Sequence, residues 1–302
     1  MTPLQRYIVE EIATDHVDGL LTRREALRRL ALLGVGAASA SALIVACSEK
    51  RDAAPTSAPS TTSPDPGGPP PGMEDAVATE AVTWSGPRGE LAGAWAAAAD
   101  PRGAVLVIHE NKGLNDWTRS VAGRFAGIGY SALAIDLLSA GGGTGRFTDP
   151  AEATAALGKI ADADLVADLR SGIDEIARRV PDHKLAVVGF CMGGGLAWRL
   201  LAAGEPRLAA AVPFYGPTPG NPDFSGSKGA AVLGFYGALD DRVNATEPAA
   251  KAALVKAGLV HELVTEPDAN HAFFNDTGER YNALAAADAW QRIQDWFTVH
   301  LA

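Results

Sequence analysis

The stretch Gly189-Phe190-Cys191-Met192-Gly193-Gly194-Gly195 constrains the fold more than any other part of the chain. An apolar run over 185–190 precedes it, and an Ala/Leu-rich segment over 192–203, closed by Gly204, follows. A chain that passes from a buried strand into a helix across one residue turns so sharply that the tip residue is strained. The residues two positions to either side must then lack a Cβ. Gly189 and Gly193 meet that demand, and Cys191 is the tip. It projects at the carboxyl end of a sheet toward a helix N-terminus, whose N–H groups favour a thiolate. A phosphate-binding loop would need a Lys-Ser/Thr ending or G-x-G-x-x-G spacing, and neither is present. The remaining structural alternative is a buried cysteine beside a glycine-rich turn.

The rest of the chain agrees with such a turn. Apolar runs at 104–108, 131–135, 185–190, 209–214, 231–236 and 262–265 read as strands. Most do not alternate with polar residues, as expected of parallel strands covered on both faces. Segments 81–84 and 91–96 flank Gly86-Pro87-Arg88-Gly89 and predict an antiparallel hairpin. Leu165, Leu169, Ile173, Ile176 and Val180 form a helical stripe, as do Leu284, Ala287, Trp290, Ile293 and Phe297. Helices are also predicted over 116–126 and 192–203. Gly141-Gly142-Gly143 marks a long, mobile loop. The pattern predicts an α/β protein with a mostly parallel, doubly wound sheet and an antiparallel N-terminal edge. Trp84, Trp95, Trp117, Trp198, Phe214 and Tyr215 suit a core better than a pocket lining.

Three segments are expected. Residues 1–47 read as an export signal: Arg23-Arg24 precede an uncharged, Ala/Gly-rich run over 30–46. Twin arginines before such a run resemble a twin-arginine signal, and Leu43-Ile44-Val45-Ala46-Cys47 resembles a lipoprotein cleavage box. A cut near Ala40 or Ala42 is the alternative site, and a retained anchor the alternative fate. Residues 48–76, rich in Pro, Ser and Thr, read as a disordered linker. Residues 77–302 make the folded domain, exported to the periplasm or cell surface. The chain touches membrane only through the signal or a lipid on Cys47.

Composition excludes several classes. With 26 basic and 36 acidic side chains the net charge is −10, which argues against a nucleic-acid partner. The two cysteines, Cys47 and Cys191, form neither a disulfide framework nor a thiolate-rich zinc site. No metal or cofactor is expected, and a monomer is favoured.

A nucleophile at such a turn is followed in sequence by an acid and then a histidine. Of His261, His271 and His300, His271 lies in Asp268-Ala269-Asn270-His271-Ala272-Phe273, after the last strand and before the C-terminal helix. It is the expected base. The acid belongs just after the penultimate strand, where Gly237-Ala238-Leu239-Asp240-Asp241-Arg242-Val243 offers two carboxylates. The G-x-x-D-x-x-V pattern selects Asp240 over Asp241. After the first parallel strand, His109-Glu110-Asn111-Lys112-Gly113-Leu114 opens the loop that supplies one oxyanion donor, and Met192 supplies the other. The zinc pattern H-E-x-x-H is broken by Gly113.

These four motifs in this order resemble the dienelactone hydrolase family over roughly 77–302. The resemblance implies an α/β-hydrolase fold and a Cys191-Asp240-His271 triad that opens a small activated ester or enol lactone through a thioester. It implies oxyanion N–H groups at Asn111 and Met192, and gives Glu110 the task of holding the resting thiol. No cofactor is needed. Members hold a substrate carboxylate with arginines, one of them four residues after the histidine. Asn275 stands there in this chain, which leaves Arg146 and Arg242 as candidates. A catalytically silent binding protein on the same scaffold is the alternative. A redox-sensing thiol is weaker, since Cys191 has no resolving partner outside the signal.

Overall fold

The computed structural model describes residues 1–53 and 68–301, with only the backbone given for 49–53. Eight strands form one sheet: β1 (Glu80–Gly86), β2 (Gly89–Ala96), β3 (Gly103–Ile108), β4 (Tyr130–Asp136), β5 (Leu185–Phe190), β6 (Leu208–Phe214), β7 (Ala231–Gly237) and β8 (His261–Glu266). Their order is β1-β2-β4-β3-β5-β6-β7-β8. The β1–β2 and β2–β4 pairs are antiparallel and the other pairs parallel. The predicted hairpin therefore forms the edge, and its register pairs Gly86 with Gly89.

Ahead of the sheet lie three helices: α1 (Pro3–Val17), α2 (Arg23–Leu32) and α3 (Ala37–Ala53). Within the domain follow α4 (Asp116–Gly127), α5 (Pro150–Leu157), α6 (Asp162–Arg179), α7 (Met192–Ala202), α8 (Asp241–Asn244), α9 (Glu247–Ala257) and α10 (Ala283–His300). The sequence pointed to α4, α6, α7 and α10, but not to α1, α5, α8 or α9. The stripe of α6 lies against the sheet: Leu165, Leu169, Ile173 and Ile176 are fully buried. On the central strands every residue of β3, β4 and β5 is buried. At the carboxyl end of the sheet Phe190, Phe214 and Phe235 stack in a row, with ring centroids 4.9 and 4.5 Å apart. Five of the six aromatics assigned to the core are buried there, and Trp84 is half-buried.

The front of the chain, read above as an export signal, packs on the domain in this structure. α1 buries Leu4, Tyr7, Ile8 and Ile12 in the same apolar core as the sheet. The uncharged run is broken by Gly34, in the left-handed region at φ +79°, and divided between α2 and α3. Among the described residues no helix is long and apolar enough to cross a membrane. Arg23 and Arg24 remain exposed at the start of α2, and Cys47 is half-buried in α3.

Of the predicted linker, 54–67 lies outside the described residues. Its last part packs: Arg124 donates to the Pro71 carbonyl, and Val77 N–H donates to Gly123 O at 3.0 Å. This strap fits because α4 carries glycine beneath it; a Cβ on Gly127 would meet Asp75 O at 2.1 Å. The Gly141–143 loop is also tied down. The Asp136 carboxylate accepts from Leu138 N–H, Thr144 N–H and the Thr144 hydroxyl.

Candidate active site

The turn between β5 and α7 has the conformation its sequence demands. Cys191 adopts φ 55°, ψ −115°. A Cβ on Gly189 would meet Gly193 O at 2.1 Å, and one on Gly193 would meet Ile108 O at 2.4 Å. Tyr215 and Ala272 also hold positive φ, so backbone strain gathers around the cysteine, as it does at functional sites generally.

The loop after β8 brings His271 to the same place. Its Nδ1 lies 2.6 Å from Asp240 Oδ2. Asp240 is fixed by its own position: its other oxygen accepts from Val243 N–H as the cap of α8. Asp241, one residue on, is exposed. Burial alone would disfavour charge on both members of the His271–Asp240 pair. Their mutual attraction outweighs it, so His271 is raised and Asp240 lowered. Cys191, His271 and Asp240 are thus brought together, with Asp240 rather than Asp241 on the imidazole.

The remaining neighbours of the thiol come from α1, within the segment whose sequence reads as an export signal. Cys191 Sγ lies 3.3 and 3.4 Å from the two Glu11 carboxylate oxygens. The Tyr7 hydroxyl is 3.3 Å from Sγ and 3.4 Å from His271 Nε2. Glu11 Oε1 accepts from the Asn111 side-chain amide at 3.1 Å. The Tyr7 ring lies on Arg242, 4.5 Å from guanidinium carbon to ring centroid. The spacing of Leu4, Tyr7, Ile8, Glu11 and Ile12 is that of one helix face. This signal was present in the sequence, but the export pattern beside it drew the reading elsewhere.

Glu110 does not hold the thiol. Its Oε2 accepts from Asn275 Nδ2 at 2.9 Å, and its Oε1 is buried without a hydrogen-bond partner. Glu11, carried in by α1, has the thiol position instead. Glu110 acts on the sulfur through its charge. Burial, Glu11 and Glu110 push the Cys191 thiol well above its ordinary value, against the opposing Tyr7 hydroxyl and Met192 N–H. The helix terminus alone was expected to favour a thiolate; with α1 seated, burial and the two carboxylates disfavour it.

Of the two arginine candidates, Arg242 is at the site. Its Nε and Nη1 are buried with no hydrogen-bond partner. Arg146 is exposed and donates to Gly141 O at 2.8 Å. A further arginine, Arg280, pairs with Asp15 at 2.8 Å and Asp18 at 2.5 Å. It lines a cavity of about 310 Å³ that also reaches Glu110, Asn111, Cys191 and His271 and is bounded by Glu11 and Ile12. Glu11, Cys191 and His271 present ligand atoms within 4.8 Å of one another.

The eight-stranded, mostly parallel sheet with its antiparallel edge and strained cysteine turn is the α/β-hydrolase architecture. Residues 91–301 match the family model described as the dienelactone hydrolase family. The chain belongs to the dienelactone hydrolase family and is a hydrolase of that kind. Among curated relatives, a protein of Escherichia coli O157:H7 provisionally described as a carboxymethylenebutenolidase is 35% identical over 213 residues, 65% of this chain and 77% of its own. One of Saccharolobus solfataricus, described the same way, is 31% identical over 237 residues, 65% of this chain and 89% of its own. A crystal structure described provisionally as a dienelactone hydrolase, from Klebsiella pneumoniae, is 33% identical with a TM-score of 0.63, covering 73% of this chain and 99% of that one. Tyr7 and Glu11 lie outside the family match.

Proposed function

We propose that the protein hydrolyses small activated esters or enol lactones through a Cys191-His271-Asp240 triad and a thioester intermediate. The observation that carries this reading is the His271–Asp240 contact of 2.6 Å, with Cys191 at the strained turn on the Nε2 side of the ring. Asp240 fixes the tautomer, so that Nε2 is free to take the thiol proton. The sulfur attacks the acyl carbon, and the tetrahedral oxyanion is held by the Met192 and Asn111 N–H groups, each worth about 3 kcal/mol of barrier. The C–O bond breaks as the His271 imidazolium returns its proton to the departing alkoxide or enolate, which leaves as the alcohol or enol and frees Nε2 again. Water then gives a proton to His271 and attacks the thioester, releasing the carboxylic acid product and restoring the thiol. A thiolate expels an enolate readily but an amine slowly, which favours activated esters over amides.

Within this reading Glu110 keeps the resting thiol protonated by its charge, and Arg242 is the residue available to a substrate carboxylate. Residues 1–47 act as an export signal that delivers the domain to the periplasm or cell surface, with Cys47 as the lipid-bearing residue after cleavage. Burst kinetics test the chemistry, with p-nitrophenyl acetate and a cis-dienelactone as substrates. The wild type should turn over both and Cys191→Ala neither. Turnover of p-nitrophenyl acetate alone removes the enol lactone from the reading; turnover that persists in Cys191→Ala removes the triad.

A further inference from the structure

The segment that touches the nucleophile most closely is not part of the matched family fold. α1 reaches into the cleft from the far end of the sequence and places two side chains on the reacting groups. The Tyr7 hydroxyl bridges Sγ and His271 Nε2, within hydrogen-bond reach of both. The Glu11 carboxylate lies 3.3 Å from Sγ, with its Oε1 3.8 Å from His271 Nε2 and hydrogen-bonded to Asn111. An acyl carbon about to be attacked must itself come within about 3–3.5 Å of the sulfur. That volume is already filled by a carboxylate.

A carboxylate is also what ester hydrolysis leaves in this place. Resting on the reading of Cys191 as nucleophile, we propose that α1 is a built-in inhibitor. Glu11 mimics the bound product and the Tyr7 hydroxyl engages both the thiol and its base, so the hydrolase is latent until residues 1–47 leave the cleft. Three further contacts hold α1 down. Tyr7 covers Arg242, whose Nε and Nη1 have no hydrogen-bond partner while the helix is seated. Asp15 and Asp18 clasp Arg280 at the helix end. Ile8 is fully buried beside Leu33 and Gly158. The alternative is that α1 completes a substrate pocket, since Glu11, Ile12 and Asp15 line the 310 Å³ cavity. The carboxylate on the sulfur and the phenol engaged with both reacting groups favour inhibition. The cleavage expected between residues 40 and 47 falls downstream of α1 and would detach it. Arg23 and Arg24 stay exposed with α1 seated, so the latent form still displays its address.

The test uses the full chain with a sequence-specific protease site placed within 54–67. Two rates are measured before and after cutting and dilution: hydrolysis of p-nitrophenyl acetate, and alkylation of Cys191 by iodoacetamide read by mass spectrometry. Both should rise by about tenfold or more, a change equivalent to about 1.4 kcal/mol of released seating. A synthetic peptide of residues 1–20 should lower both again. Ile8→Asp unseats α1 without touching the reacting groups and should raise both rates in the uncut chain. Its circular dichroism and melting curve show whether the domain has stayed folded. Unchanged rates in both experiments, or a fall in ester turnover on cutting, would overturn the proposal and make α1 a pocket wall. If alkylation rises while neither form hydrolyses the ester, the seating of α1 is supported and the hydrolase reading is the one that fails.

Discussion

At the thiol, two adjacent aspartates present the same charge and only one of them touches the imidazole. Asp240 is buried on His271 Nδ1, while Asp241 faces solvent at the first turn of α8. Asp240→Asn should lower kcat by about a thousandfold or more, because the amide holds the wrong tautomer. Asp241→Asn should leave kcat within about twofold. Equal losses in steady-state kinetics would contradict the assignment. These residues were legible in the sequence because each is tied to a local backbone demand. Gly189 and Gly193 have neighbours that exclude a Cβ, and Asp240 caps a helix through the same carboxylate that meets the histidine. Glu110 was not legible in this way. Its position depends on Asn275, 165 residues away, and no local spacing encodes that. Tyr7 and Glu11 were hidden by a stronger neighbouring signal, the paired arginines, which explained their segment without invoking the site.

Among the elements, β8 and α10 carry a titration unrelated to catalysis. Glu266 ends β8 and is nearly fully buried. Burial, helped by the charge of Asp288 on α10, raises its carboxyl to about 7. A carboxyl raised on folding contributes stability in full below its unfolded value, near 4.5, and loses it as pH rises through about 7. Glu266→Gln should therefore melt with the wild type at pH 4.5 and above it at pH 8. The expected gain is about 1–2 kcal/mol, for a carboxyl at the end of an edge strand whose other residues are half-buried or exposed. Thermal melts at the two pH values check it; no pH-dependent difference would remove Glu266 from the account. The sheet and the four long-stripe or capped helices were readable because burial on both faces erases alternation in a strand and leaves a stripe in a helix. The short helices α5 and α8 were not, since eight and four residues are too few to show a period. The Gly141–143 loop read as mobile because its anchor, Asp136, sits in the preceding strand rather than in the loop.

Over the whole molecule, the domain divides by how much of it must open for a given event. α1 rests on the cleft through one face and a pair of half-buried ion contacts, whereas β3, β4 and β5 have no exposed residue. Regions with fewer buried contacts open at lower free energy. Amides of α1 should exchange with deuterium together and faster than those of β5, by about a hundredfold or more. Alkylation of Cys191 in the uncut chain should follow that same opening. Labelling much slower than α1 exchange would show that the thiol is shielded by something other than this helix. The seating of α1 also fixes an order in time. Tyr7 contacts His271 across 264 residues of chain, so α1 has no berth until the loop after β8 has been made. Throughout synthesis the N-terminal stretch is available to whatever reads it, and it docks only when the loop after β8 exists to receive it. Docking thus reports that translation has passed His271 and Arg280, and a chain truncated before them would carry its leader unlatched.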